Sequence, residues 1–490
     1  MALRKPIVIS DWLKGMSVSP YGAFAQMRGL DPHRIEGIVT IEFAPTPVVF
    51  SITQPSLINW TISDKAGVIY FLDNTGKLFS SSSYFTGAQV TGNTTSSATG
   101  NGLAYWKNYV FVARNGVVDA YLSPTWTSSL ATLEVSRSGV NPLFVAQDDV
   151  FYIGNGRYVA TITENAGQIF DPSNSATFTF AATAIKLPQD YAVVSFSELG
   201  DKLMAGTIFG TPGATTNVKI SDIFPIDRVN LNYSLPIRLD DEGINSLLTS
   251  NNLLYISSGL KGNLSISNGV SVSELLSVPL DVKERDSVGY WALSIYPDAF
   301  DFWGDELFIG VSNISASGQT INPFGVYGLK GKTMRFLGNI SAGVNGSSGT
   351  RVQITSIYAV SPSEFFVSWA SDLTYGVDFF TSSVNRIGSY GAYAETELYF
   401  IGSEREPATL EYFDFILKKP LASGDGIRLS YRESGSGDYT TIVTFDFATH
   451  GAVSYFSHTI SIPNLKIVQF KIEMTCTSTA GPQLRAIIIQ

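Results

Sequence analysis

Short runs of β-branched and aromatic residues alternate with polar residues along almost the whole chain, and each run stops at Gly, Asn, Asp or Ser. This period-two alternation, bounded by turn-forming residues, predicts β-strands and tight turns. Helical periodicity is nearly absent, and the best candidate for a helix is the short stretch from Ser10 to Gly15. The pattern therefore predicts an all-β fold.

One unit recurs over most of the chain. An apolar strand leads through a polar turn into a strongly apolar strand, and a turn containing Gly or Asn precedes a third strand. Copies of this unit begin at Ile58, Gly102, Pro142, Val193, Asn245, Ala299 and Thr355. Their spacing suits the blades of a β-propeller, which repeat every ~40–50 residues with four strands each. Seven copies predict seven blades, and the weakly marked fourth strand leaves six or eight open.

The rhythm changes near Gly391, where six strand-like runs follow one another in the last part of the chain. Alternation is clean in residues 428–431 and 468–472, so each strand has one face toward water. This pattern predicts a separate antiparallel β-sandwich. The predicted domains are thus an amino-terminal arm and docking strand (1–45), a β-propeller (46–390) and a β-sandwich (391–490).

The first 45 residues precede the first repeat and hold too few apolar positions for a core of their own. We therefore expect this arm to dock elsewhere on the molecule. Within it, the run from Ile38 to Phe43 is the candidate to close the last blade by adding a strand.

Composition narrows the class of protein. Hydrophobic residues make up 44% of the 490 residues, which is ample for a core, and charged residues make up only 15%. A surface of hydroxyls and amides is common in extracellular and virion β proteins. The 32 basic and 42 acidic residues give a net charge of −10, which argues against a protein built to grip nucleic acid phosphates. No run approaches the ~18 apolar residues of a membrane span, so we expect no membrane anchor.

Residues that could carry chemistry are few. A single cysteine, Cys476, excludes an internal disulfide framework, and only His33, His450 and His458 could supply imidazole ligands. No nucleophile with an adjacent base, phosphate-binding loop or dinucleotide fingerprint is found. We therefore predict no catalytic residue, no cofactor site and no metal site, and expect no enzymatic activity.

Clusters of neighbouring acids can be binding sites or simple turns. Asp240-Asp241-Glu242 is the densest acidic cluster, but it lacks the spacing of a calcium loop, so a solvated turn is favoured. The pairs Asp148-Asp149 and Asp305-Glu306 fall at matching turns of two repeats, and their recurrence is explained by the turn alone.

Two stretches resemble a known family. The opening segment, in which Gly29-Leu30-Asp31-Pro32-His33 is followed by Glu36-Gly37 and a strand, resembles the start of bacteriophage tail proteins. The strand at Lys418-Lys419, the SYRESGSGDYTTI hairpin and the closing Pro482-Gln483-Leu484 resemble the last domain of such proteins. The chain is thus similar to propeller-containing virion proteins of tailed phages, including nozzle and tail-tube proteins of short-tailed phages.

The resemblance implies a non-enzymatic structural protein of the virion tail, with Gly29, Leu30, Asp31 and Gly37 as residues of a structural motif. It implies a homo-oligomeric ring, taken as a hexamer, that contacts other tail proteins such as adaptor and fibres. Such a ring forms part of the DNA-ejection conduit, through which the genome passes without specific binding. The alternatives are a carbohydrate-binding or receptor-binding propeller at the tail tip and, less favoured, a glycan-cleaving enzyme. The Asp240-Asp241-Glu242 loop is the candidate lining of a channel.

Overall fold

The structure is a computed structural model that describes part of the chain. The described residues are 6–12, 24–28, 30–35, 38–51, 53–90, 99–114, 116–134, 139–210, 220–259, 262–278, 293–313, 324–331, 333–337, 340–341, 352–371, 374–381, 387, 391–403, 405–433, 437–477 and 481–490.

The described residues form β-strands and one short helix. In the first half of the chain the strands are β1 (Ile7–Ile9), β2 (Phe24–Arg28), β3 (Leu30–Ile35), β4 (Ile38–Ile41), β5 (Thr46–Pro47), β6 (Val49–Ser51), β7 (Ile58–Ser63), β8 (Ile69–Asp73), β9 (Leu78–Ser81), β10 (Thr86–Gln89), β11 (Gly100–Trp106), β12 (Tyr109–Arg114), β13 (Val117–Leu122), β14 (Thr125–Thr132), β15 (Leu143–Val145), β16 (Phe151–Asn155), β17 (Tyr158–Glu164), β18 (Phe178–Lys186), β19 (Tyr191–Leu199), β20 (Lys202–Phe209), β21 (Ser221–Asp227), β22 (Asn232–Tyr233) and β23 (Ile237–Leu239). In the second half they are β24 (Ile244–Ser250), β25 (Leu253–Ser258), β26 (Asn263–Ser267), β27 (Val272–Ser277), β28 (Leu293–Ser294), β29 (Phe300–Trp303), β30 (Glu306–Asn313), β31 (Gly325–Lys330), β32 (Thr333–Phe336), β33 (Val352–Ser361), β34 (Glu364–Ser371), β35 (Thr374–Thr381), β36 (Ala392–Thr396), β37 (Tyr399–Phe400), β38 (Ala408–Leu417), β39 (Gly426–Glu433), β40 (Thr440–Asp446), helix α1 (Phe447–His450), β41 (Tyr455–Leu465), β42 (Ile467–Thr475) and β43 (Leu484–Ile489).

Consecutive strands form a series of small, mainly antiparallel sheets. The first is β7–β10 with β6 beside β10, and it is followed by β11–β14, β15–β18, β19–β23, β24–β27, β29–β32, and β33–β35 with β5 at its edge. The first strand of each sheet contacts the first strand of the next, and β33 of the last sheet contacts β7 of the first. The sheets therefore close into a ring, which is a propeller-like all-β arrangement.

Aromatic side chains fill the spaces between neighbouring sheets of this ring. Trp106 of the second sheet stacks on Phe151 of the third, with ring centroids 5.5 Å apart. Phe71 of the first sheet meets Phe366 of the last edge-on at 5.5 Å, so the ring is also packed where it closes. Both faces of a middle strand are therefore buried, which is why these strands read as nearly continuous apolar runs.

Two further sheets contain the carboxyl-terminal strands. One has the order β3-β4-β43-β38-β41, with β1 also on β43, and the other contains β2-β36-β42-β39-β40, with β37 also on β42. Side chains from both sheets, such as Phe413 and Phe470, share one buried apolar cluster. The amino-terminal strands β1 to β4 are thus distributed over both sheets.

The strand named as the candidate to close the last blade was the wrong one. The run from Ile38 to Phe43 does not close the last sheet of the ring, because β4 lies between β3 and β43. Every residue of β4 is buried, so this strand needs cover on both faces, which an edge position would not give. The strand that pairs with β35 is instead β5, through Thr46 and Pro47.

The sixth sheet of the ring is continuous with a carboxyl-terminal sheet. Arg28 of β2 pairs with Phe336 of β32 in parallel orientation, and β2 pairs on its other side with β36. The ring and the carboxyl-terminal sheets are therefore joined through backbone hydrogen bonds as well as through side chains.

Short helices escaped the sequence analysis. The stretch Ser10 to Gly15 contains no α-helix in its described part, residues 10–12. Helix α1 lies elsewhere, and the carboxylate of Asp446 caps it by accepting the backbone N–H of Thr449 at 2.7 Å. His450 consequently lies in a helix rather than on a strand of the predicted sandwich.

Candidate functional site

Five ionisable side chains meet where the amino-terminal strands contact the sixth sheet of the ring. Asp31 and His33 lie on β3, Glu42 follows β4, Glu306 begins β30, and Arg335 lies on β32. We call this group the junction cluster. Each of the five side chains is buried, although ionisable groups are rarely removed from water unless they are paired.

Arg335 is the centre of the junction cluster. Its Nε and Nη2 donate to the two carboxylate oxygens of Glu306 at 2.7 and 2.9 Å, which is a bidentate pair. Its Nη1 donates to the carboxylate of Glu42. One guanidinium therefore ties the segment after β4 to two strands of the sixth sheet.

His33 adds a second connection across the same boundary. Its Nδ1 lies 3.0 Å from Oε1 of Glu306, while its backbone N–H donates to Oδ1 of Asp31 at 2.9 Å. The backbone N–H of Arg34 donates to the same oxygen at 3.1 Å. Asp31 thus fixes the local turn of the chain that places the imidazole against Glu306.

The two glutamates of the junction cluster have pKa values that are shifted in opposite directions. Burial alone would raise the pKa of Glu306, but Arg335 and His33 outweigh it and lower that pKa to about 2. Burial raises the pKa of Glu42 above its usual value, and the opposing effect of Arg335 is too weak to reverse it. Arg335 therefore favours the ionised form of Glu306 more strongly than that of Glu42.

Two residues of the junction cluster, Asp31 and His33, lie in the segment that carries the resemblance. Of the residues that the resemblance singled out, Leu30 is fully buried and Asp31 belongs to the cluster, whereas Gly29 and Gly37 lie outside the described residues. Glu42 and Arg335 were not predicted. A charged residue inside an apolar strand was a usable signal for them, since a buried charge requires a partner.

The explanation of Asp305-Glu306 by a turn alone was wrong for Glu306. Asp305 is an exposed turn residue whose carboxylate pairs with Lys330 at 2.7 Å. Glu306 is the first residue of β30 and points inward to Arg335. The alternation of the strand separates the two acids, because successive side chains point to opposite faces.

The first strands of the ring sheets surround a central cavity of about 260 Å³. Asp298 and Asp301 line it, and no Lys or Arg is among its described lining residues. The backbone N–H of Thr61 donates to Asp298 at 2.9 Å, and that of Ala359 donates to Asp301 at 2.9 Å. Burial raises the pKa of Asp298 strongly and that of Asp301 to about 6.

The acidic loop at Asp240-Asp241-Glu242 forms a hydrogen-bonded turn. The carboxylate of Asp241 accepts from the hydroxyl of Ser258 at 2.6 Å and from Nδ2 of Asn263 at 3.0 Å. None of the three acids is among the described residues that line the central cavity. Their place on an assembled channel stays a prediction.

Two features are absent from the described part of the chain. There, no group of three or more His, Cys, Asp or Glu side chains is arranged to hold a metal ion. The same residues include no helix that is long and apolar enough to cross a membrane. Cys476 is buried.

Comparison with known proteins adds little to this description. No family model matches the chain, and no curated protein matches it. Among solved structures it is similar to the Dos1 propeller, at 11% identity and a TM-score of 0.44, over 70% of this chain and 96% of that one. It is also similar to YCF48 bound to a D1 peptide, at 10% identity and a TM-score of 0.43, over 74% and 99% of the two chains.

An enzyme is also among the similar structures. The exo-beta-1,3-galactanase of Phanerochaete chrysosporium matches at 9% identity and a TM-score of 0.30, over 92% of this chain and 99% of that one. Likenesses this distant carry no argument about function. The propeller-like fold rests on the closed ring of sheets described above.

Proposed function

We propose that the protein is a non-enzymatic structural component of a tailed bacteriophage tail, a ring of the nozzle or tube type that forms part of the DNA-ejection conduit. The proposal begins from the two stretches that resemble phage tail proteins. It places the chain in the virion, in contact with further copies of itself and with neighbouring tail proteins.

We further infer a seven-bladed propeller and a carboxyl-terminal β-sandwich. Seven sheets within the described residues are linked through their first strands, which supports seven blades. The two remaining sheets share a buried core, which supports a sandwich. In this interpretation β5 and β33–β35 together make the seventh blade, so the ring is closed by strands from both ends of the domain.

The junction cluster is the observation that carries the proposed function. A tail component must keep its lobes in a fixed relative position while the virion is under mechanical load. Here Arg335 binds Glu42 and Glu306 inside the protein, beside a sheet that runs from the sixth blade into the carboxyl-terminal strands. Such an arrangement suits a rigid building block better than a pair of hinged domains.

The small central cavity supports a conduit that lies outside the propeller of one copy. A volume of about 260 Å³ cannot admit duplex DNA, whose major groove alone is ~12 Å wide. A DNA path would therefore run through the middle of an oligomeric ring, between copies, and not through the propeller of one copy.

Size in solution tests the proposal. We expect light scattering of the purified chain to give a closed oligomer whose population grows with concentration, and electron microscopy to show rings. A monomer or trimer at every concentration would contradict the ring and favour a receptor-binding protein.

A second candidate function is glycan binding or cleavage in the central cavity. It is favoured by the pair Asp298 and Asp301 in the cavity lining, since glycoside hydrolases use two carboxyl groups. The cavity is smaller than the ~300–1,000 Å³ of typical ligand sites, which makes this candidate the weaker one. Calorimetric titration with oligosaccharides tests it, and binding that is lost in Asp301→Asn would support it.

A further inference from the structure

The lining of the central cavity combines two acids with aromatic rings. Its described lining residues include Asp298 and Asp301 and contain no Lys or Arg. Four of the ring sheets each contribute an aromatic side chain to the same lining, and these are Trp60, Phe196, Phe300 and Tyr358. The cavity therefore offers negative charge beside apolar surface.

Backbone N–H groups hold both carboxyl groups in place. Oδ1 of Asp301 accepts the N–H of Phe302 at 2.8 Å, and its Oδ2 accepts the N–H of Ala359 at 2.9 Å. Oδ2 of Asp298 accepts the N–H of Thr61 at 2.9 Å. Each carboxylate oxygen can take part in more than one such contact, and both residues are only half-buried. The two carboxyl groups are thus fixed in position and remain accessible from the cavity.

Asp301 supplies the negative charge of the cavity near neutral pH. Burial raises its pKa to about 6, so most of the carboxyl group is ionised at pH 7 and above. Burial, with a smaller effect of Asp301, raises the pKa of Asp298 well above its usual value, so this second acid ionises less readily. Burial also raises the pKa of Tyr358, the other titratable group among the described lining residues. The charge of Asp301 therefore has no cationic side chain of the described lining beside it.

We infer that the central cavity binds a small organic cation, an ammonium group with apolar substituents, beside Asp301. The carboxylate attracts the positive charge, and the aromatic side chains contact the apolar substituents. A cavity of about 260 Å³ limits the ligand to a small molecule. This inference assigns the cavity a ligand class other than glycans, and it does not depend on the proposed homo-oligomeric ring.

The same lining disfavours other classes of ligand. An anion is repelled by Asp301, and a neutral ligand leaves its charge uncompensated. A divalent metal ion such as Ca²⁺ takes about 6–8 oxygen ligands, whereas the described residues hold no group of three acids or other metal ligands. An ammonium ion with alkyl groups uses both the charge and the apolar walls.

Choline is a suitable probe, because its neutral carbon analogue has the same shape. In that analogue a tert-butyl group replaces the trimethylammonium group, so the two compounds differ in charge alone. In calorimetric titrations of the full chain at pH 8, we expect choline to bind at least tenfold more tightly than the analogue. Equal affinities, or no binding of choline up to millimolar concentrations, would overturn the inference.

The pH dependence tests the role of Asp301 in the unmodified chain. Since the cation favours the ionised carboxylate, choline should bind about tenfold more weakly at pH 5 than at pH 8. Titrations at pH 6 in buffers of different ionisation enthalpy should show the release of about half a proton per choline bound. Binding that neither changes with pH nor releases protons would show that choline does not lie beside Asp301.

A pair of variants provides the matched comparison. Asp301→Asn removes the charge and should weaken choline binding at least tenfold. Asp305→Asn changes an exposed acid of the same sheet, outside the described cavity lining, and should leave binding unchanged. Thermal unfolding of both variants shows whether they fold, and proton release by the unmodified chain decides the case if Asp301→Asn does not.

The outcomes separate this inference from the proposed functions. Binding of oligosaccharides without binding of choline would overturn the inference and support the glycan site. A chain that binds choline and stays monomeric would contradict the ring and leave the inference in place. A ring that does not bind choline would do the reverse.

Discussion

The guanidinium of Arg335 donates to the carboxylate of Glu42, although the two residues are 293 positions apart and neither is exposed. The pair joins the segment after β4 to the sixth sheet of the ring. Burying it removes two charges from water, and that cost is offset only while both partners and Glu306 are present. The free energy of unfolding should therefore be unusually sensitive to substitutions in this buried group.

Replacing Arg335 should be severely destabilising. In Arg335→Met, Glu42 and Glu306 lose their cation inside the protein, so we expect the free energy of unfolding to fall by about 3–5 kcal/mol. Urea denaturation measures the change. Lys330→Met is the control, because it breaks the exposed pair with Asp305 and should cost at most about 1 kcal/mol. Equal losses in the two variants would show that the cluster contributes nothing beyond a surface ion pair.

Acid should weaken the protein through Glu306. Its folded-state pKa of about 2 lies below the ordinary value of 4.5, so its contribution is fully present above pH 4.5 and is lost as the pH falls toward 2. The difference corresponds to roughly 3 kcal/mol. We expect Glu306→Gln to flatten the dependence of unfolding free energy on pH within this window, as measured by urea denaturation at a series of pH values.

Glu42 provides a control of opposite sign for the pH experiment. Its pKa is raised in the folded state, so its ionised form is a cost that is relieved as the pH falls. Glu42→Gln should therefore leave the acid loss due to Glu306 in place or make it steeper. If both variants flatten the curve equally, the two glutamates do not differ as the structure indicates.

The sequence was sufficient to predict the repeating part of the fold. The predicted repeats that start at Ile58 and Val193 begin in the first strands of two ring sheets, and the others begin in or next to first strands as well. This succeeded because each ring sheet is built from neighbouring strands, whose pattern of apolar runs and turns is local.

The joining of the two ends could not be predicted in this way. The pairing of Arg28 with Phe336 and of Ile7 with Ile489 connects strands that are hundreds of residues apart. Alternation shows that a segment is a strand and leaves its partner open. The junction cluster could not be predicted for the same reason, because the partners of Arg335, Glu42 and Glu306, are distant from it in the sequence.

Trp12 should anchor the first strand to the carboxyl-terminal sheets. It is fully buried, its Nε1 donates to the carbonyl oxygen of Arg485 at 2.8 Å, and its ring stacks on Phe24 at 5.2 Å. Trp12→Ala is expected to cost about 3–5 kcal/mol. Hydrogen exchange should show lower protection of amides in β43 and unchanged protection in β16, since Trp12 and the residues of β16 belong to different buried clusters.

Trp126 offers a matched comparison on the second sheet. It is only half-buried against Tyr121, so Trp126→Ala should cost less and should affect β13 rather than β43. A loss of protection in β43 from this variant, or none from Trp12→Ala, would contradict the anchoring role.

Cutting the chain before β36 should not separate the ring of sheets from the carboxyl-terminal sheets. Strands β1 to β4 pair with strands from both carboxyl-terminal sheets, so the amino-terminal fragment stays bound to the carboxyl-terminal fragment after cleavage. We expect a chain with a protease site inserted after residue 390 to elute as one species once it is cleaved, and to separate only in denaturant. Separation in native buffer would show that this pairing is weak, and deletion of residues 1–45, which removes β1 to β4, before cleavage is the positive control for separation.

The protein should not hold duplex DNA. Each Lys or Arg that contacts a phosphate adds affinity by releasing counterions, and affinity built this way falls steeply with salt. The net charge is −10, and the described lining of the central cavity contains the acids Asp298 and Asp301 and no Lys or Arg. We therefore expect no binding of a labelled duplex at physiological salt by fluorescence anisotropy, and none at lower salt.

A charge-reversal variant serves as the positive control for the expected absence of DNA binding. Asp240→Lys with Glu242→Lys replaces two acids of the turn before β24, which adds four units of positive charge at one place. If that turn lines the channel of the assembled ring, the variant should bind duplex DNA weakly. This binding should disappear as the salt concentration is raised. Salt-sensitive binding by the unmodified chain would instead indicate a tail component that grips its DNA, and would contradict the non-binding conduit proposed above.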